Sequence, residues 1–414
     1  MAAAAQIDKP ESIPTSGGAV AFVYGDAAFL EAGRGAQAAA HFEWRGHRYT
    51  LPAHSASIVR PSTGDVLFNS HIGSAPPAHA RAIVPVGPPG SGGGLGGEWG
   101  RWAEPITAPP AGSYPPSALR RASAPIEMTN LTRGLTTFAF YSTTFGPAAL
   151  PATLRVPTYE AMGLVAFADG TAIGHAENYA HHNGAPINLS IPLATPTIDS
   201  LTDVEAGRAA PANGTHTLTL LGEELGYANY GFNTPIAKGL AAPGVLDVPV
   251  SGGWSMRAGL AGEHLGLMGA DGASKVAWER VKLGTRQPAA SWYQTSFATP
   301  DAVLASGGGA QLLLNATGLH RGRFWVNGHD AGRYWLLPRN DPSACAGGEP
   351  SCATQTLYHI PTSWLTAKGS QANRLVLFEV EGEADVRTVG LAISSMRSEP
   401  PVHTDLSKVV SCVF

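Results

Sequence analysis

The chain has 414 residues, with 27 Lys or Arg against 31 Asp or Glu, which gives a formal net charge of −4 at pH 7. This weakly acidic balance offers no basic field to a phosphate backbone, and no apolar run approaches the roughly 18 residues of a membrane span. Nucleic acid and a membrane are therefore not expected partners. At roughly 150 residues per domain the length predicts about three domains, and 50 Gly with 33 Pro predict many turns.

The N-terminal third divides into three predicted parts. Residues 1–18 are a tail that lacks the basic n-region and apolar core of a signal peptide. Residues 19–73 hold short segments rich in β-branched and aromatic residues, which predict a small β domain. Residues 74–117 contain Pro-Val-Gly-Pro-Pro-Gly-Ser-Gly-Gly-Gly, a composition that predicts an extended linker.

The remaining chain repeats itself. Phe167-Ala-Asp-Gly170 resembles Trp325-Val-Asn-Gly328, and two other blocks recur in the same order roughly 157 residues later. Both Asp-Gly and Asn-Gly supply the positive φ of a two-residue hairpin turn. We therefore predict two copies of one β-sandwich, over 118–250 and 251–398, followed by a C-terminal tail over 399–414.

Cysteines and glycosylation sequons bear on the compartment. Cys345 and Cys352 flank a short loop that fits either a local disulfide or two reduced surface thiols, and Cys412 has no obvious mate. Four sequons favour a secretory chain and make their asparagines candidate glycosylation sites: Asn130, Asn188, Asn213 and Asn315.

Candidate catalytic and metal-binding groups are sparse. Glu223-Glu224 is the only adjacent pair of carboxylates, and its Gly-flanked position predicts a solvated turn. His175, His181 and His182 could offer imidazoles to a metal, but an exposed loop between strands explains them better. No nucleophile elbow, phosphate loop or dinucleotide fingerprint stands between a strand and a helix. We predict no catalytic residue, no metal and no cofactor.

One segment concentrates aromatic rings and hydrogen-bonding groups, the combination that binds a pyranose ring. Alternation along a strand places Trp325 on one face, with Phe324 and Val326 on the other. If Phe324 and Val326 line the core, Trp325 lies outside or beneath a neighbouring domain, and packing between sandwiches is favoured over a sugar site. The candidate carbohydrate-binding residues are Trp325, Asn327, Arg333, Tyr334, Trp335, Tyr358, His359 and Trp364.

Ordered motifs along the chain resemble the region that follows the catalytic barrel in plant-type β-galactosidases, glycoside hydrolase family 35. They lie at 28–31, 42–58, 66–69, 126–141, 220–231, 254–263, 324–328, 332–335 and 357–365. The resemblance implies an all-β chain in which a small β-sandwich domain precedes two jelly rolls of the galactose-binding type.

The same resemblance limits the expected chemistry. The family's two catalytic carboxylates belong to a (β/α)8 barrel, which needs at least about 200 residues. The resemblance begins near residue 20, so we expect no barrel in this chain and carry the catalytic glutamates onto no position.

Alternative functions therefore stay open. The chain is expected to be a non-catalytic β-galactosidase-like protein with a carbohydrate-binding or structural role. The alternatives are the β-rich part of an active β-galactosidase whose barrel is elsewhere, or a structural subunit of a larger assembly. Expected partners are a β-galactoside or cell-wall polysaccharide, a separate barrel-containing chain, or that assembly. The sequons and the resemblance favour a secreted or vacuolar location, while the missing signal peptide keeps an intracellular one open.

Overall fold

The fold is taken from a computed structural model of the chain. It describes residues 20–24, 27–31, 40–44, 46–51, 56–60, 62–69, 79–87, 93–96, 98–146, 150–178, 185–193, 215–227, 237–241, 250–281, 287–306, 309–336, 355–367 and 369–398.

Strands dominate the described residues, as the sequence predicts. The strands are β1 (Val20–Tyr24), β2 (Ala27–Glu31), β3 (Ala40–Trp44), β4 (His47–Leu51), β5 (Ala56–Arg60), β6 (Asp65–Asn69), β7 (His79–Pro85), β8 (Gly100–Ala103), β9 (Leu119–Ala122), β10 (Phe138–Phe145), β11 (Thr153–Thr158), β12 (Met162–Ala168), β13 (Thr171–Asn178), β14 (Ile187–Pro192), β15 (His216–Glu224), β16 (Val250–Ala258), β17 (Glu279–Arg280), β18 (Ser291–Phe297), β19 (Ala310–Asn315), β20 (Arg321–Val326), β21 (His329–Trp335), β22 (Leu357–Ile360), β23 (Asn373–Glu379) and β24 (Gly390–Ser398). The helices are short: α1 (Met128–Thr132), α2 (Ala261–Leu265) and α3 (Asp301–Ala305), with 3-10 turns at Pro116–Ala118, Gly272–Ser274 and Thr362–Trp364. The all-β prediction is confirmed. In the part of the chain described, no helix is long and apolar enough to span a membrane.

The chain divides into two compact units, 1–81 with 396–414, and 82–395. In the first unit, β1, β2, β5 and β6 form an antiparallel sheet in the order β1-β2-β5-β6, and β3 pairs with β4. Tyr49 and Val59 are buried. These sheets lie in the segment for which the sequence predicts a small β domain.

The second unit contains two sandwiches. In the first, a six-stranded sheet of order β13-β12-β15-β10-β16-β9 faces the pair β11-β14. Leu154 and Val156 of β11 pack in one core with Tyr141, Leu164 and Leu220 of the large sheet. Alternating side chains place these residues on one face of their strands.

The second sandwich repeats that strand order. Its large sheet runs β21-β20-β23-β18-β8-β17, and its small sheet runs β22-β19-β24-β7. The segments that repeat in the sequence occupy matching places: β10 and β18, β12 and β20, β15 and β23. Each copy also turns on the predicted dipeptide, since Asp169 and Asn327 have φ of 49° and 51°, each followed by a glycine of positive φ.

The Pro/Gly-rich segment 74–117, for which the sequence predicts a linker, contributes strands to the second sandwich. β8 pairs with β18 through Trp102 opposite Trp292, and thereby fills the sheet position that β16 holds in the first sandwich. Composition alone does not reveal this because β8 is only four residues long and its pairing partner lies about 190 residues away.

The two large sheets pack against each other through their outer faces. Phe138 and Phe140 of β10 join a cluster with Trp292, Trp325 and Phe378 from the second sandwich. Strands such as β12 are consequently buried on both faces, which explains its unbroken apolar run. The interface between the sandwiches is therefore a third apolar core, and the polar sites described next lie at its margins.

Candidate functional site

A cleft of about 740 Å³ lies beside this interface. The loop after α1, the segment around α2 and the β20–β21 hairpin enclose it. Its polar or aromatic lining includes Thr136, Glu263, His264, Arg323, Trp325 and Asp330. Of the eight residues that the sequence nominates for carbohydrate binding, Trp325 alone lines this cleft.

Trp325 forms part of the floor of the cleft. Its side chain is only 4% exposed, and its ring stacks on Trp292 with centroids 5.5 Å apart. Phe324 and Val326 point into the core of the second sandwich, so the predicted alternation is confirmed. Trp325 thus packs mainly between the sandwiches and exposes little of its surface to the cleft.

Arg323 and Asp330 face each other across the hairpin. Arg323 Nη2 donates to Asp330 Oδ2 at 2.6 Å, and Asp330 Oδ1 accepts from the backbone N–H of Gly332 at 2.8 Å. The pair is charge-assisted and partly exposed. It presents both a cationic and an anionic group to the cleft, which suits the hydroxyls of a sugar.

Glu263 and His264 line the opposite side. Glu263 Oε2 accepts from the Leu260 N–H and the Thr136 hydroxyl, both at 2.8 Å, and so caps α2. Burial raises the pKa of Glu263 above its usual range in spite of these hydrogen bonds. His264 Nε2 lies 2.8 Å from the Ala258 carbonyl, which can only accept, so this nitrogen carries the proton.

Residues 133–135 also line the cleft. Arg133 adopts φ of 55° and Gly134 φ of 69°, and this left-handed turn leaves Leu135 86% exposed. An exposed leucine beside polar groups offers an apolar surface next to hydrogen-bonding partners.

Three of the other candidate carbohydrate-binding residues make hydrogen bonds that stabilise the fold. Tyr334 is fully buried and donates to the Phe378 carbonyl at 3.0 Å. The side chain of Asn327 donates to the Trp364 carbonyl and accepts from the Arg374 N–H, both at 2.8 Å, and holds the hairpin turn. Arg333 Nε donates to Glu223 Oε1 at 3.0 Å and joins the two sandwiches.

The other four nominated residues do not converge on the cleft. The Arg321 guanidinium lies over the ring of Trp335, with its Cζ 5.6 Å from the ring centroid. The Tyr358 hydroxyl accepts from the Trp335 N–H at 2.7 Å, and Trp364 stacks on His329 with centroids 5.0 Å apart. His359 is exposed on β22. The eight candidate residues therefore do not form one site, and their role in carbohydrate binding stays a prediction.

The polar cleft residues that sequence reasoning missed include Thr136, Glu263, His264, Arg323 and Asp330. They come from segments that are far apart along the chain, and only tertiary packing brings them together. Cys345, Cys352, Asn213, His181 and His182 lie outside the described residues, whereas the sequon residues Asn130, Asn188 and Asn315 lie within them.

A second polar cluster lies between the sandwiches around Arg321. Its guanidinium is fully buried, with Nη1 3.5 Å from Glu223 Oε2 and from Glu177 Oε1, and Nε 2.8 Å from Glu381 Oε1. The predicted solvated turn is wrong for Glu223, because this residue belongs to β15 and is fully buried. Arg321 and Arg333 come from the other sandwich and compensate its charge.

His175 lies at the open side of this cluster. Its Nδ1 is 3.5 Å from Glu177 Oε1 and 3.4 Å from Glu381 Oε1, and the neighbouring Glu177 raises the pKa of His175. Burial raises the pKa of Glu381 to about 7. His175 therefore belongs to an ordered strand that contacts a buried carboxylate cluster, not to the predicted exposed loop.

Comparison with known proteins shows what this chain is similar to. Residues 290–370 match the family model of the β-galactosidase galactose-binding domain. Beta-galactosidase 8 of Arabidopsis thaliana is 31% identical over 377 residues, which cover 82% of this chain and 39% of that protein. Beta-galactosidase 13 of the same plant is 34% identical over 179 residues, 41% of this chain and 18% of that protein. Beta-galactosidase 7 of Oryza sativa subsp. japonica is 36% identical over 129 residues, 31% of this chain and 14% of that protein. The chain thus spans about two fifths, or less, of the length of these relatives.

Proposed function

Because this chain is similar to plant β-galactosidases over 82% of its length, we propose that it is an accessory, non-catalytic β-galactosidase-like protein that binds galactosides. The binding site would be the cleft at Arg323, Trp325 and Asp330. One observation carries this proposal: residues 290–370, which match a galactose-binding domain model, include the hairpin that supplies all three residues.

The lining of the cleft suits weak sugar binding. Arg323 and Asp330 can each redirect a hydrogen bond from one another to sugar hydroxyls, since both side chains are partly exposed. The exposed Leu135 supplies apolar surface for the C–H groups of the ring, and Trp325, only 4% exposed, adds a small part of it. We expect dissociation constants in the millimolar range, which correspond to about −4 kcal/mol.

The carboxylates of the cleft are already hydrogen-bonded within the protein. Glu263 is engaged by the Leu260 N–H and the Thr136 hydroxyl, and Asp330 by Arg323 and the Gly332 N–H. A retaining glycosidase needs one carboxyl free to protonate the leaving group and another free to attack the sugar. Each carboxylate of this cleft would have to give up hydrogen bonds within the protein to take either part.

The proposal is tested by titrating the full chain with galactose, lactose and glucose while indole N–H resonances are followed by NMR. We expect saturable shifts with galactose and lactose and a preference over glucose. Arg323→Gln should weaken binding at least tenfold. Arg387→Gln is the matched control, because Arg387 also pairs with an aspartate at 2.6 Å, but it lies outside the cleft lining. Equal affinity in both variants, or no saturation in wild type, would overturn the assignment.

Hydrolysis is tested separately. The purified chain should release no product from a chromogenic β-galactoside. Turnover that a single Asp or Glu substitution abolishes would replace the accessory role with a catalytic one. A barrel-containing polypeptide that copurifies with the native chain would instead indicate the β-rich part of a two-chain β-galactosidase, and copurification with a larger assembly would favour a structural subunit.

A further inference from the structure

We propose that His175, Glu177 and Glu381 bind one divalent transition-metal ion between the two sandwiches. His175 and Glu177 are two residues apart on β13, so both side chains lie on the same face of this edge strand. Glu381 follows β23 of the second sandwich by two residues. The site therefore takes ligands from both sandwiches.

The donor atoms converge at distances that fit a metal. All three lie within 4.8 Å of one another. Bonds of 2.0–2.2 Å in a tetrahedral site separate neighbouring ligand atoms by roughly 3.3–3.6 Å. His175 Nδ1 is 3.5 Å from Glu177 Oε1 and 3.4 Å from Glu381 Oε1. Small side-chain rotations would thus suffice to place an ion within bonding distance of the three atoms.

Independent support comes from the two carboxylates themselves. The Glu177 and Glu381 side chains are 9% and 5% exposed, and both Oε1 atoms point into the cluster. Both atoms are held by charged side chains: Arg321 lies 3.5 Å from the Glu177 atom and 2.8 Å from the Glu381 atom, and His175 contacts both. A carboxylate has about four lone-pair sites, so each group can keep its contact with Arg321 and still offer a lone pair to an ion. His175 is half exposed and gives the ion a route from solvent.

The charges leave room for a cation. With its ligands deprotonated, as metal binding requires, the cluster sets three carboxylates, of Glu177, Glu223 and Glu381, against two guanidiniums, of Arg321 and Arg333. Arg321 contacts the same Oε1 atoms of Glu177 and Glu381 that would bind the ion. It would orient the two carboxylates, as outer-shell partners of metal ligands do. One imidazole with two carboxylates favours Zn²⁺ or a similar borderline ion over Ca²⁺, which prefers oxygen ligands alone.

The test is calorimetric titration of the chelator-treated full chain with Zn²⁺, followed by Co²⁺ as a spectroscopic reporter. We expect one site whose affinity falls at least tenfold in His175→Ala and in Glu177→Gln. His359→Ala is the control, since this exposed histidine lies on β22, away from the cluster. Co²⁺ should give visible d–d bands that His175→Ala removes.

Folding and binding are separated by measuring the melting temperature of each variant without metal. His175 is half exposed, so His175→Ala should melt close to wild type. A variant that is folded yet binds Zn²⁺ as tightly as wild type would overturn the site, as would a wild type that binds none or binds only at His359. Because the test uses no sugar, its result is independent of galactoside binding.

Discussion

Glu104 provides the sharpest test of the electrostatics between the sandwiches. Its buried carboxylate accepts from Trp292 Nε1 at 2.8 Å and from the N–H groups of Ala261 at 2.5 Å and Gly262 at 3.2 Å. Glu104 directly follows β8, its partners Ala261 and Gly262 lie on α2, and Trp292 lies on β18. The carboxylate therefore joins three segments that are distant in sequence. Burial raises the pKa of Glu104 to about 7, because desolvation outweighs the donors that favour the charged form.

The raised pKa makes stability depend on pH with a definite sign. The folded-state pKa of about 7 lies above the ordinary value of 4.5, so the unfolded chain loses this proton first. The stabilising contribution is therefore fully present below pH 4.5 and is lost as the pH rises through about 7. The difference between the folded and unfolded pKa values of Glu104 corresponds to about 3 kcal/mol in the free energy of unfolding.

The assay compares urea unfolding of wild type and Glu104→Gln at pH 4.5 and pH 8. Gln cannot ionise, so the free energy of unfolding of wild type should fall by about 3 kcal/mol more than that of the variant. The Trp292 indole N–H resonance should titrate with a midpoint near 7 in wild type alone. Glu98→Gln, at an exposed position, is the control and should behave as wild type. If wild type instead gains stability relative to Glu104→Gln on going to pH 8, the hydrogen bonds outweigh burial and the reasoning is refuted.

Two substitutions test the architecture. An added Cβ at Gly163 would lie 1.9 Å from Arg321 Nη1, so Gly163→Ala should displace the buried guanidinium and cost about 3 kcal/mol, measured by chemical denaturation. Gly146→Ala, where an added Cβ meets nothing, should be close to neutral, and equal effects of the two would contradict this account. Asn327→Ala removes three side-chain hydrogen bonds at a positive φ and should lower stability by about 2–3 kcal/mol. Asn327→Gly keeps the turn conformation and should cost less by thermal melting; a larger loss with Gly than with Ala would show that the turn does not need positive φ.

The local features of the fold are determined by the sequence. Short strands bounded by Gly and Pro, and a repeat spaced by roughly 157 residues, predict two similar sandwiches, and both large sheets have the same strand order. Asp169-Gly170 and Asn327-Gly328 predict hairpin turns with positive φ because few other dipeptides adopt that conformation without strain. The strand and turn predictions succeed because the interactions that decide them lie within a few residues, and the sandwich prediction succeeds because the repeat carries the same local pattern twice.

What covers each strand face is decided by tertiary structure alone. The alternation of side chains along a strand predicts that Trp325 and Phe324 point to opposite faces of β20. Only the packing of the second sandwich on the first decides that Trp325 is covered there, where it stacks on Trp292. Glu223 resembles a surface residue because its compensating guanidiniums, of Arg321 and Arg333, are about 100 positions away.

The same physical reason applies to both proposed sites. Glu263 and Asp330 line one cleft, and Glu177 and Glu381 share one cluster, although each pair is separated by more than 60 residues. Sequence patterns record which side of a strand a side chain occupies, since that depends on the backbone. They do not record which distant strand lies opposite, because that depends on how two finished sandwiches bury their outer faces together.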